Sequence, residues 1–252
     1  MATEKNPANP PNREPPAAVG HGAVRAFYDE QYHAGPATAH GLSWHPRAVA
    51  ARLGDLRGRR VLDIACGTGQ WLAELQRRGA VPSGIDISAR AVEQCRRVLP
   101  QADIREGIAE RLPFADASFD LVTCMGSLEH FLDQPAALAE MRRVAAPAAR
   151  FLILVPNAGF LTRRLGLYRG TQQVAVRETV RPLAEWQSLL AGAGMDVRAR
   201  WRDLHPLSRD WITQGPALAW PVRAAQAAAL ALWPLQWQYQ VYFLAEAQPA
   251  AG

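Results

Sequence analysis

The chain predicts an α/β fold, a largely parallel sheet covered by helices, on three observations. Short apolar runs alternate with helix-period segments from about residue 60 to residue 155, the pattern of strand–helix–strand units. Val61-Leu62-Asp63-Ile64 breaks into the small-residue turn Ala65-Cys66-Gly67-Thr68-Gly69 and restarts at Gln70 as a helix. Such a turn lets a ligand approach bare backbone, and the helix start offers it unpaired N–H groups. Asp86 then ends the next strand about 20 residues on, where an acid can accept both hydroxyls of a ribose.

The elements follow in order. Residues 1–20 hold Pro7, Pro10, Pro11, Pro15 and Pro16 and are expected to be a disordered tail. Residues 21–57 read as a helical cap of one domain spanning 21–252. One helix runs from Ala23 to Tyr32, with Phe27, Tyr28 and Tyr32 near one face, and another from Pro46 to Leu53. Residues 58–156 form the ligand-binding core. Its strands are Arg60–Ile64, Val81–Ile85, Asp103–Arg105, Phe119–Cys124 and Phe151–Val155, with helices at Gln70–Arg78, Ala89–Val98 and Pro135–Val144. Residues 157–252 hold a glycine- and arginine-bearing insertion, a helix at Leu183–Ala191, strands at Asp196–Trp201 and Gln238–Ala245, and a helical insertion over about 204–237.

Composition narrows the function. The net charge of +5 comes almost wholly from arginine, Lys5 being the only lysine. The arginines are scattered, without a basic block or a nucleic-acid-binding motif, so no nucleic-acid partner is expected. Cys66, Cys95 and Cys124 are an odd number without metal-like spacing, and the N-terminus lacks an apolar run. A reducing, cytoplasmic setting is expected, with Cys66 and Cys124 packing at strand ends. The stretch Ala217–Trp237 carries Arg223 as its only charge but is interrupted by Pro221, Gln226 and Pro234. It reads as helices forming a lid over an acceptor pocket, with Trp201, Trp211, Trp220, Trp233 and Trp237 as core or pocket wall. The other reading is weak membrane-surface contact through 217–237.

Ligands of open α/β sheets bind outside the carboxyl ends of the strands. Gly67 and Gly69, Asp86, and Glu129-His130 all fall there. A dinucleotide fingerprint wants a third glycine where Leu72 stands. Asp63, a buried acid beside the turn, suits an ammonium-bearing ligand better than a pyrophosphate. A nicotinamide-dependent dehydrogenase is therefore the weaker alternative. Asp120, opening its strand, reads as an anchor of strand geometry; Leu112 and Phe114 read as core.

Asp63–Gly69, Gly84–Asp86, Leu112-Pro113-Phe114, Ser118-Phe119-Asp120 and Leu128-Glu129-His130 together resemble the class I S-adenosylmethionine-dependent methyltransferases. The nearest group is the small-molecule, type 11-like one, and the match covers roughly residues 58–155. The resemblance implies a seven-stranded Rossmann-like sheet with helices on both faces and the last strand antiparallel. It implies S-adenosylmethionine as cofactor and S-adenosylhomocysteine as product. Asp63 and the backbone of Ala65, Cys66, Gly67 and Gly69 would hold the methionine part. Asp86 would grip the ribose, with Ile87 on one adenine face. Gly107, Ile108 and Ala109 would line the adenine end, and Met125 and Ser127 would approach the sulfonium. Such families often carry an acid at the position of Ile108, so here the adenine contact falls to backbone and apolar packing.

His130 suits deprotonation of a hydroxyl acceptor, or merely opens a helix with Glu129. Some relatives bind a divalent metal through E-x-x-E-H; Gly126 takes the first glutamate position here, and no metal is expected. Tyr28, Tyr32 and His45, with His33, are acceptor-side candidates from the N-terminal cap, and His205 is one from the insertion. The expected activity is O-methylation of a small-molecule or lipid- or sugar-linked acceptor with an apolar part. A non-catalytic cofactor-binding protein on the same scaffold is the other alternative. The acceptor's identity and the oligomeric state stay open.

Overall fold

The computed structural model describes residues 20–32, 44–164, 166, 178–213 and 216–248. The proline-rich tail through residue 19, His33 and most of the glycine- and arginine-bearing insertion lie outside them. Helix α1 (His21–Phe27) continues as a π-helical turn, Tyr28–Tyr32, and α2 spans Trp44–Arg52. The core then alternates β1 (Arg60–Ile64), α3 (Gln70–Arg77), β2 (Val81–Asp86), α4 (Ala89–Val98), β3 (Asp103–Glu106), β4 (Phe119–Met125), α5 (Gln134–Val144) and β5 (Ala145–Pro156). Beyond it come α6 (Leu161–Arg164), α7 (Leu183–Gly192), β6 (Met195–Arg202), α8 (Arg209–Ile212), α9 (Trp220–Leu232) and β7 (Gln240–Ala247).

The seven strands form one sheet in the order β3-β2-β1-β4-β5-β7-β6. β1 to β5 pair in parallel, and β7 runs antiparallel to both β5 and β6. The order reverses at β1, so the gap between the carboxyl ends of β1 and β4 is where a ligand fits.

Strand alternation sends Leu62, Ile64, Val122, Cys124, Phe151 and Ile153 to one face, where Leu138, Met141, Trp186 and Leu190 of α5 and α7 cover them. Val61, Leu121 and Leu152 point to the other face, against Ala50, Trp71, Leu72 and Cys95 of α2, α3 and α4. Leu112 and Phe114 are buried in the first of these cores. Asp120 accepts from the Arg60 backbone N–H at 2.9 Å and from its guanidinium at 2.8 Å, tying the starts of β1 and β4.

Three sequence expectations need correction. β5 begins at Ala145, six residues before Phe151. The alanine-rich entry is recruited because Ala145 pairs with Phe119, across a register shift before Leu121. β7 starts at Gln240, two residues later than expected, since the Gln238 side chain turns inward to donate to Leu230 O and Trp233 O. Of the five C-terminal tryptophans, Trp201 packs against the second core, stacked on Tyr242; Trp211, Trp220, Trp233 and Trp237 join neither core, and Ala227 is the only buried residue of α9. That helix lies on α8 and the His205–Leu207 turn, not inside a core. No helix among the described residues is long and apolar enough to cross a membrane.

Candidate functional site

The turn after β1 is built from residues in the left-handed region: Ala65 at φ 57°, Gly67 at 53° and Gly69 at 82°. Ala65 is there against its preference, a local strain typical of ligand-facing loops. Gly69 has no freedom to be anything else, because a Cβ would stand 2.5 Å from Cys95 Sγ. Cys66 N donates to Ile85 O at 3.0 Å and Gly69 N to Cys66 O at 3.0 Å, which pins the turn to β2. The Cys66 thiol is pushed well above its ordinary range by its contact with Cys95, then by burial and nearby carboxylates. All three cysteines are buried free thiols.

Asp86 is locked from two sides. Gly67 N donates to its Oδ2 at 2.8 Å and Ser88 N to its Oδ1 at 2.9 Å. Ser88 caps α4 by accepting from Ala91 N, and donates to Asp29 Oδ1 at 2.5 Å. Asp29 also accepts from Arg90 N at 3.2 Å. The N-terminal segment is thereby stapled to the start of α4.

Asp63 stands opposite Thr123 in the β1–β4 register, and Thr123 Oγ1 donates to its Oδ1 at 2.6 Å. Trp71 Nε1 donates to the same hydroxyl at 3.2 Å. Asp63 is 2% exposed. Burial pushes its carboxyl up to about 7, Asp86 adds to the rise, and the Thr123 hydrogen bond opposes it. A carboxyl so placed gains from a cationic neighbour, which would restore its charge.

These groups face a cavity of about 410 Å³. Its floor is Asp63, Ala65, Cys66, Gly67 and Thr68; Asp86, Ile87, Gly107, Ile108 and Ala109 line one side, and Met125 and Ser127 the other. Gly69 lies behind this wall, packed on Cys95. Tyr28 and His45 line the cavity from the cap. His205 does not; its ring lies 4.9 Å from that of His45. The side chain of Tyr32 is outside the described set. Among the described residues, none from 204–237 lines the cavity; its wall on the cap side comes from the N-terminal helices. The sequence reading missed His21, Pro46, Glu110 and Tyr242, which also line it. Glu110 contacts His21 at 3.4 Å and accepts from Leu132 N at 3.0 Å. It therefore holds the loop after His130 against the cap. An acid two residues past Ile108 was the visible signal.

His130 is buried and lines both this cavity and a neighbouring pocket of about 210 Å³ that also meets Gln134, Thr179 and Arg181. Its Nε2 lies 3.9 Å from Glu178 Oε1. Glu129 is 5% exposed, with burial first and then Glu178 pushing it up to about 8. Thr179 N donates to the Glu129 carbonyl at 2.8 Å, bringing Glu178 beside His130. Among the described residues, no three His, Cys, Asp or Glu side chains are grouped to hold a metal ion.

Residues 62–153 match the family described as "Methyltransferase domain". The chain is 31% identical over 185 residues to a ubiquinone biosynthesis O-methyltransferase of Paracidovorax citrulli, covering 65% of this chain and 74% of that one. It is 40% identical over 107 residues to a demethylmenaquinone methyltransferase of Beutenbergia cavernae, covering 42% and 45%. The chain spans under half the length of the first curated relatives it matches, 41% to 47%. A Haloferax volcanii structure combining the Trm112 methyltransferase activator with a methyltransferase shares the fold at TM-score 0.65 and 20% identity, covering 90% of this chain and 94% of that one. The cavity at the sheet's switch point, its paired acids and these matches lead to one assignment: the chain belongs to the class I methyltransferases, whose cofactor is S-adenosylmethionine.

Proposed function

We propose that this protein transfers a methyl group from S-adenosylmethionine to a hydroxyl of a small, partly apolar molecule. The observation that carries this is the cavity itself, where a desolvated Asp63 and a locked Asp86 face inward and His130 stands at the boundary with the second pocket.

The residues present fit the cofactor. Asp63 is a carboxyl raised to about 7 that a cationic amino group would re-ionise. Asp86 is held by Gly67 N and Ser88 N at the cavity wall, which fixes the carboxylate where it would meet ribose hydroxyls. Ile87, Ile108 and Ala109 give an apolar slot for a purine. Leu72 stands where a dinucleotide fold needs its third glycine and is fully buried, which weighs against a nicotinamide cofactor. When bound, S-adenosylmethionine supplies a methyl group on a positively charged sulfur, open to in-line displacement.

The chain's own work is alignment and proton removal. With cofactor and acceptor bound, the stapled N-terminal helices would shield the site from water, which strengthens the charge interactions inside. Met125 and Ser127 shape the gap between cofactor and acceptor. His130 takes the acceptor's hydroxyl proton, and Glu178 stabilises the imidazolium that results. The name of one relative, an O-methyltransferase of ubiquinone biosynthesis, makes a hydroxyl on a quinone-like ring the first acceptor class to screen; the other, a demethylmenaquinone methyltransferase, supports the quinone-like ring but not the hydroxyl. Cytoplasmic residence belongs to this proposal and fits three buried free thiols.

Calorimetry with S-adenosylhomocysteine and with NAD tests the cofactor; heat with the first alone is expected. Labelled methyl transfer onto phenol- and quinone-type fractions tests the acceptor. Cofactor binding without transfer to any fraction would identify a non-catalytic cofactor-binding protein instead.

A further inference from the structure

Helix α9 with the turn before it shows an apolar face that nothing among the described residues covers. Leu218 is 92% exposed, Val222 70% and Leu232 85%. Val222, Ala225, Ala229 and Leu232 fall at helical spacing along one stripe, the arrangement of a helix that presents an apolar face. Stable folds seldom leave such a stripe open to water without a use.

The charges around it favour one occupant. From Trp211 to Trp237 there is no acidic residue, and Arg223 is the only charge. Its guanidinium turns inward, with Nε donating to Trp211 O at 2.8 Å and the group stacked on the Trp211 ring at 4.2 Å. The apolar stripe is therefore left uncharged. Exposed arginines stand on the elements tied to α9. Arg209 is on α8, which packs on α9. Arg163 and Arg164 are on α6, which follows a turn bonded to the segment after α9 through Asn157 Nδ2 and Gln236 O. Residues 157–252 carry ten arginines against six acids, which is four of the chain's five net positive charges.

We infer that this face docks the protein on an anionic lipid bilayer, with α9 lying flat in the interface. A 13-residue helix is about 20 Å long and cannot span the hydrocarbon core. A modest apolar face with a cationic flank is the two-part signal that reversible surface binding requires. α9 packs on the His205–Leu207 turn, whose His205 meets His45 of the cavity wall. The docked face is thus one packing layer from the cavity.

Co-sedimentation with phosphatidylcholine vesicles, with and without about 30% phosphatidylglycerol, tests this independently of methyl transfer. The protein should pellet with the anionic vesicles, pellet poorly with the neutral ones, and release as salt rises to about 0.5 M. Leu218→Glu with Val222→Glu should weaken binding about tenfold or more. Both side chains are solvent-facing, so circular dichroism and S-adenosylhomocysteine binding should not change. Absence of vesicle binding by the wild-type chain overturns the inference. So does binding that the substitutions leave intact. Loss of a dimer in the same variants, without vesicle binding by the parent, would assign the face to a second copy of the chain.

Discussion

Replacing Asp63 with asparagine separates two demands made on one side chain. Its carboxyl rises from 3.8 to about 7, chiefly through burial, so the fold keeps a proton that the unfolded chain has already lost. An acid with a raised folded pKa costs stability as pH climbs: the fold is at full strength below about pH 4, weakens up to about pH 7, and then levels off. About three pH units at about 1.36 kcal/mol each set a ceiling near 4 kcal/mol at pH 8. Asparagine keeps nearly the same shape, and its oxygen can still accept from Thr123 Oγ1. Asp63 lines the cavity, where water can take the amide N–H groups. Without ligand, Asp63→Asn should melt about 5 to 15 °C above the parent at pH 8, with the gap closing by pH 4. Its S-adenosylmethionine affinity should fall about a hundredfold, and the parent's affinity should rise with pH through about 7. Differential scanning calorimetry and titration calorimetry across pH 4–8 read both effects. A variant no more stable than the parent at pH 8, or a gap widest at pH 4, would refute the reasoning.

Asp86→Ala strands two backbone N–H groups, Gly67 and Ser88, and should cost about 1–3 kcal/mol in urea unfolding along with most cofactor binding. Gly69→Ala places a Cβ against Cys95 Sγ in a left-handed residue; a loss of about 2–4 kcal/mol is expected by thermal unfolding. His130→Ala should lower kcat with a hydroxyl acceptor by about 10²–10⁴ while leaving S-adenosylhomocysteine affinity within about twofold. An unchanged kcat across pH would remove the base assignment.

The core was legible because its signals are local. The turn at Cys66–Gly69, the acid at Asp86 and the strands around them each follow from neighbours within a few residues. What brings His21, Glu110 and Tyr242 to the same cavity is tertiary, with each supplied by a different element. Glu178 was hidden for the same reason: tertiary bonds such as Thr179 N to Glu129 O and Gln134 Nε2 to Thr179 O bring it to His130. The tryptophans of the helical insertion misled because aromatic content signals burial only when a partner surface exists, and α9 has little beyond Ala227 to bury, whereas Trp201 on β6 has Tyr242 to stack on. Ala145 joined β5 through its long-range pairing with Phe119, against its own weak strand preference.

The place of β7 bears on how the molecule is assembled. β1 to β5 can pair as they are made, whereas β6 finds its neighbour only after β7 has been synthesised and threaded between two older strands. Until then the edge of β5, with Phe151, Ile153 and Val155, has no partner and is open to pairing with other chains. The insertion of this late strand is therefore the step expected to limit refolding and to favour aggregation, which refolding yield measured against protein concentration would show. Because Val241 and Phe243 are fully buried, that same step also seals the core.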